Sequence, residues 1–134
     1  MRTPTLKTTL LIILSLVLIN CKKKAGEGGT ANIRGSIWVE DWNTAFTIKN
    51  GEYAGADEDV YIIYGDDVSY GDKTKSNYNG EFEFKYLRTG KYRVYVYSKD
   101  KTLKSQSGDT AFVREVEITN NGQTIGLDRF ITYK

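Results

Sequence analysis

The sequence predicts an all-β sandwich, and three observations carry that prediction. From Ala31 onward apolar and polar residues alternate with a period of two, as side chains do on a half-buried strand. These runs are short and are separated by turn sequences: "KNGE" from Lys49, "YGDD" from Tyr64, "NG" at Asn79, "TG" at Thr89 and "NNGQ" from Asn120. No stretch after residue 30 carries an apolar stripe at helical spacing, and the single proline, Pro4, lies at the front of the chain.

The first element precedes the sandwich. Arg2 and Lys7 form a positive stretch ahead of an apolar run, "LLIILSLVLI", from Leu10 to Ile19. At a helical rise of about 1.5 Å per residue this run falls well short of a ~30 Å hydrocarbon core. Residues 1–20 therefore read as a signal peptide and not as a membrane span. Cys21 follows at once and is the only cysteine, so an exported chain would offer it no disulfide partner. The stretch Leu18, Ile19, Asn20, Cys21 resembles the lipobox of bacterial lipoproteins. That resemblance implies cleavage before Cys21 and acylation of its sulfur, which makes the membrane a partner through the acylated Cys21. Each buried CH₂ adds roughly 0.8 kcal/mol, so two chains would hold a small domain on a bilayer.

Losing Arg2 and Lys7 lowers the basic residues from 19 to 17, against 17 acidic ones. The mature chain is neutral and has no electrostatic footprint for nucleic acid. Residues 21–30 read as a lipidated, flexible tether: "KKKAGEGGT" has no large apolar side chain, and its reach is on the order of 15–20 Å. Lys22, Lys23 and Lys24 either attract anionic headgroups, at about 1 kcal/mol each, or are a solvated start to the linker.

Residues 31–134 form the domain. Seven strands are predicted, over Asn32–Glu40, Asp59–Tyr64, Lys73–Asn77, Glu81–Tyr86, Lys91–Ser98, Phe112–Thr119 and Thr124–Thr132. Phe82, Phe84, Leu87, Tyr92, Val94 and Val96 are read as one inward-facing set. Glu81, Glu83, Lys85, Lys91 and Arg93 form a solvated face, which changes character at Tyr95 and Tyr97.

Four segments occur in the order of a known pattern: "IRGSIWVED", "GEYAGADEDVYIIY", "NGEFEFKYLRTGKYRVYVYS" and "VREVEITNNGQTIGLD". Through Gly35, Ile37, Gly55, Ala56, Val60, Asn79, Gly80, Phe82, Phe84, Leu87, Gly90, Tyr92, Val94 and Val96 they resemble the transthyretin-like domains, including carboxypeptidase regulatory-like domains and the B-type repeats of collagen-binding adhesins. The block from Gly80 to Val96 is the specific part. The resemblance implies a seven-stranded, prealbumin-like (Ig-like) Greek-key sandwich, with the strands holding Tyr61 and Tyr95 side by side. "ADEDV" is longer than the pattern and predicts a bulged loop. Adhesin repeats often carry a lysine cross-link between first and last strands. Here Asp128 is present but the first strand offers Arg34 and no lysine, which implies no cross-link.

Chemistry is constrained by what is missing. The chain has no histidine and one cysteine, so Ser-His-Asp and Cys-His nucleophiles and His- or Cys-built zinc sites are excluded. The one enzyme family among the transthyretin-like folds, 5-hydroxyisourate hydrolase, needs histidines and a C-terminal Tyr-Arg-Gly-Ser motif; this chain ends "FITYK". "YGDD" resembles the metal-binding turn of RNA-dependent polymerases, but here it only ends a strand. A carboxylate pair of the glycosidase kind is not singled out by any spacing. Acidic residues cluster around one strand, at Asp57, Glu58, Asp59, Asp66, Asp67 and Asp72. Asp57, Asp59, Asp66 and Asp67 are weak calcium candidates, because the strand between the two groups spans about 20 Å. No metal or other cofactor is predicted.

Tyr61, Ile63, Tyr95 and Tyr97 share the non-core parity of two strands, and Trp38 and Trp42 lie at and beyond the end of the first. Aromatic side chains bury large areas with few rotors, which suits recognition; they also populate solvent-facing strand positions for their β-propensity. The sequence thus reads as a lipid-anchored, non-catalytic module of the bacterial cell envelope, at the outer membrane and facing periplasm or surface. It would bind or scaffold a glycan, a peptide or an envelope protein. A carboxylate-dependent hydrolase and a structural spacer are the alternatives, and oligomeric state is left open.

Overall fold

The computed structural model describes residues 24–134. The apolar run Leu10–Ile19 and Cys21 lie outside the described residues. The described chain is all-β, with nine strands: β1 Glu27–Trp42, β2 Lys49–Ala54, β3 Asp59–Tyr64, β4 Asp72–Lys75, β5 Glu81–Leu87, β6 Gly90–Lys99, β7 Asp109–Ile118, β8 Thr124–Gly126 and β9 Phe130–Tyr133. One sheet has the order β2-β1-β5, with β8 and β9 also paired to β1; the other has the order β4-β3-β6-β7.

A single core lies between the sheets. Ile33, Ile37, Val39, Phe82, Phe84 and Phe130 come from one sheet, and Val60, Ile62, Tyr92, Val94, Val96 and Ile118 from the other. All the residues read as inward-facing are buried, but Leu87 is out of phase with Phe82 and Phe84. The phase is reset by Tyr86, which sits in the left-handed region at φ 59° and is itself exposed. This bulge turns Leu87 inward, and β1 answers it with an irregularity in which both Glu27 and Ala31 register with Leu87.

Three expectations are corrected. The first is the strand count. Lys49–Ala54, which contains the expected "KNGE" turn, is a strand antiparallel to the end of β1, and the expected final strand divides into β8 and β9, both parallel to β1. Asp128 falls in the link between them.

The second is the start of the domain, expected at residue 31. β1 begins at Glu27, and the residues before it are pinned as well. The buried Tyr92 hydroxyl accepts from the Gly26 N–H at 2.9 Å and donates to the Arg88 carbonyl at 2.7 Å; the Gly26 carbonyl accepts from the Arg88 N–H. A buried hydroxyl needs such partners, and this one finds them in the segment read as tether. That segment is therefore ordered from Ala25.

The third is strand bounds. β4 begins at Asp72 and ends at Lys75, and β7 begins three residues before the expected Phe112. The bulged loop expected at "ADEDV" is present, with Asp57 at φ 60°.

Candidate functional site

The outer face of the four-stranded sheet is built by alternation. β3 and β6 bury Val60, Ile62, Tyr92, Val94 and Val96, so Tyr61, Ile63, Tyr95 and Tyr97 project the other way. β3 and β6 are antiparallel neighbours with Tyr61 opposite Tyr95 and Ile63 opposite Arg93. The Tyr61 and Tyr95 rings stack at 5.0 Å between centroids, and Tyr97 meets both edge-on at 5.8 and 5.6 Å. Tyr70, from the loop after β3, adds a fourth ring edge-on to Tyr61 at 5.1 Å. Offset and edge-on rings of this kind attract one another beyond their burial. The patch continues onto β7, where Val113 registers with Tyr95. Its inner rings, Tyr61 and Tyr95, are half-buried, whereas Tyr70 and Tyr97 are 50% and 57% exposed. Burial, and then the neighbouring Tyr97 hydroxyl, push the Tyr95 phenol above its ordinary pKa. Lys73 stands over the edge, 6.0 Å from the Tyr61 ring.

The tryptophans belong elsewhere. Trp38 is on the outward parity of β1 in the other sheet, with the Arg129 guanidinium 5.2 Å from its ring. Trp42 ends β1, and its indole N–H donates to Glu40 at 3.0 Å. The ammonium of Lys101 lies 3.8 Å from the Trp42 ring and 5.0 Å from that of Tyr133. Trp42, Asn43, Phe46, Asp100, Leu103 and Ser105 line a cavity of about 430 Å³ at this end of the sandwich.

The acidic residues are dispersed and mostly answered by lysines. Lys75 lies 3.0 Å from Asp57 and 3.6 Å from Asp59, Lys73 is 4.0 Å from Asp59, and Lys24 is 3.2 Å from Asp67. Among the described residues no three acidic, His or Cys side chains gather as a metal site would require. Arg34 is held by Glu83 at 2.8 Å, and this pair keeps the Glu83 carboxyl below its ordinary pKa.

The sequence reading did not include Tyr70, which reaches the patch only because its loop folds back: the Gly71 N–H donates to the Ile62 carbonyl. Phe46, Lys101, Leu103 and Tyr133 were also outside it, because they come from three separate segments: Phe46 and Leu103 line the cavity with Trp42, Lys101 lies over the Trp42 and Tyr133 rings, and Phe46 packs edge-on to Tyr133.

No protein-family model matches the sequence, and no curated protein matches it. Two solved structures are among those similar to this chain. One is a candidate carbohydrate-binding protein from Pseudomonas aeruginosa, 13% identical, with a TM-score of 0.46 over 78% of this chain and 92% of that one. The other is (S)-allantoin synthase, 10% identical, with a TM-score of 0.42 over 79% of this chain and 43% of that one.

Proposed function

We propose that this chain is a lipid-anchored, non-catalytic binding module of a bacterial cell envelope, a transthyretin-like Greek-key sandwich that presents its tyrosine face to a glycan or protein partner. The observation that carries the binding reading is the patch itself. Four tyrosines and Val113 share one outer face, and its two most exposed rings are braced by the inner pair. Braced rings lose little rotamer freedom on contact, and their hydroxyls can pair with a polar partner as the faces desolvate. Support for a non-catalytic role comes from the residue inventory, with no histidine and the lone cysteine assigned to the anchor. The transthyretin-like assignment rests on the Gly80–Val96 block, and the anchor on Leu18–Cys21.

The test is capture from detergent-solubilised envelope with the acylated protein, beside the double variant Tyr95→Ser/Tyr97→Ser. The wild type is expected to retain a partner that the folded double variant loses. Equal recovery by both would remove the tyrosine face from the function. The anchor is tested separately: Cys21→Ser should accumulate as uncut, unacylated precursor, and processing and membrane association like the wild type would refute it.

A further inference from the structure

We propose that the cavity beside Trp42 is a second binding site, selective for acidic saccharides of the uronate type. The proposal requires neither the lipid anchor nor the tyrosine face. Two loops form the lips of this cavity, and each is fixed by one Asx side chain. The Asn43 carboxamide oxygen accepts from Thr47 N and Ile48 N at 2.8 and 3.1 Å. Asp100 accepts from Thr102 N, Thr102 Oγ1, Lys104 N and Ser105 N at 2.6–3.0 Å. Each loop carries one bulky apolar residue in the left-handed region, Phe46 at φ 54° and Leu103 at φ 56°, and both line the cavity. Large side chains rarely take that conformation, and such strain collects at ligand clamps. Leu103 is 65% exposed there, with no core to reward it.

The floor and the charge define the ligand. The Trp42 indole is a flat apolar surface of the kind that accepts the C–H face of a sugar ring, and the cavity volume lies in the range of small-ligand sites. The carboxylate in the wall, Asp100, is consumed by its four loop donors, and Glu40 is bridged by Lys49 at 3.3 Å. The cations are unequal. Lys99 pairs with Asp109 at 2.9 Å and Lys134 with Glu58, whereas among the described residues Lys101 has no carboxylate partner. Its ammonium rests on Trp42 and Tyr133 by cation–π contact, a weak interaction at an exposed site, and the Glu40 carboxylate acts on it only as a charge beyond ion-pair distance. A uronate supplies what both groups lack. Its ring takes the indole face, Lys101 swings aside, and the ammonium meets the sugar carboxylate.

The experiment uses Trp38→Phe, which leaves Trp42 as the sole tryptophan, since the chain has two. Trigalacturonate and its methyl ester are titrated while Trp42 emission is followed. The acid should bind on the order of tenfold more tightly than the ester, the difference of one charge-assisted contact. Added salt should weaken the acid alone. In Lys101→Gln, an exposed change, the acid should fall to the ester's affinity. Equal affinities in the parent, or no change in Trp42 emission with either sugar, would overturn the proposal. Because Trp42 is itself the reporter, failure here is separable from failure of the tyrosine face, which is read by partner capture.

Discussion

Phe84 and Tyr95 are both strand aromatics of this sandwich, and their surroundings assign them different energies. Phe84 is 3% exposed and edge-packed on Phe82, so Phe84→Ala leaves a cavity and should cost about 3–5 kcal/mol in denaturant melts of the chain lacking residues 1–20. Tyr95 has solvent on one side but stacks on Tyr61 at 5.0 Å, so Tyr95→Ser loses a pair contact and strand propensity, about 1–2 kcal/mol. Equal damage by the two would mean that the tyrosine face is covered in the folded protein. Asp100 offers a test by pH. Hydrogen bonds from the Thr102 hydroxyl, the Ser105 N–H and the Thr102 N–H hold its carboxyl down at about 2, from the usual 3.8. A pKa lowered by folding stabilises above the unfolded value and is lost as pH falls through the folded one. The amides of Lys104 and Ser105 should therefore keep their neutral-pH NMR shifts through pH 3.8 and move only on approach to about 2. A midpoint at 3.8 would show that the carboxylate does not hold the loop.

Left-handed backbone occurs just before β5, at Gly80, and near its end, at Tyr86, with different consequences. Gly80 has φ 77°, and a Cβ there would lie 2.3 Å from the Ile37 carbonyl oxygen. Gly80→Ala should cost at least ~2 kcal/mol, through the conformational penalty and a backbone clash at the β1–β5 junction. Tyr86 has nearly the same φ but is exposed, so Tyr86→Gly exchanges relieved strain for lost chain entropy and should stay within about 1 kcal/mol of the parent. Thermal melts of both check this; a strongly destabilised Tyr86→Gly would mean the side chain, not the bulge, sets the register. The same contrast explains what the sequence could reveal. β3, β6 and the first half of β5 bury alternate residues, so their periodicity shows which side chains face the core and which form the tyrosine patch. β2 is exposed along nearly its whole length and leaves no alternation to read. β8 and β9 exist because β1 offers parallel pairing, a long-range condition. The Trp42 cavity assembles residues some sixty positions apart, and no local pattern encodes that meeting.

For the molecule as a whole, the early start of β1 changes how an anchored domain would sit. With Ala25 packed near Gly90 and Gly26 fixed by Tyr92, the four residue steps from Cys21 to Ala25 reach at most about 14 Å. The end of the sandwich bearing Gly65, Asp66 and Gly90 would then lie against the bilayer. β1 runs from that end to Trp42, and because Glu27 and Ala31 share Leu87 as partner its advance begins at Ala31, while β6 joins the same two ends from Gly90 to Lys99; at about 3.3 Å per residue both place the cavity roughly 30–35 Å away. Brominated acyl chains quench tryptophan only on close approach, so the acylated protein in such vesicles reports this directly. Trp38 and Trp42 should keep their emission. A third tryptophan introduced as Asp66→Trp, at an exposed position beside the anchored end, should be quenched. Inserting a Gly/Ser linker of about twelve residues after Lys23 should relieve that quenching, because the reach then grows to roughly 20 Å. Quenching of Trp42 instead would mean that the sandwich lies on its side. The Trp42 cavity would then face lipid, where a soluble acidic saccharide could not reach it.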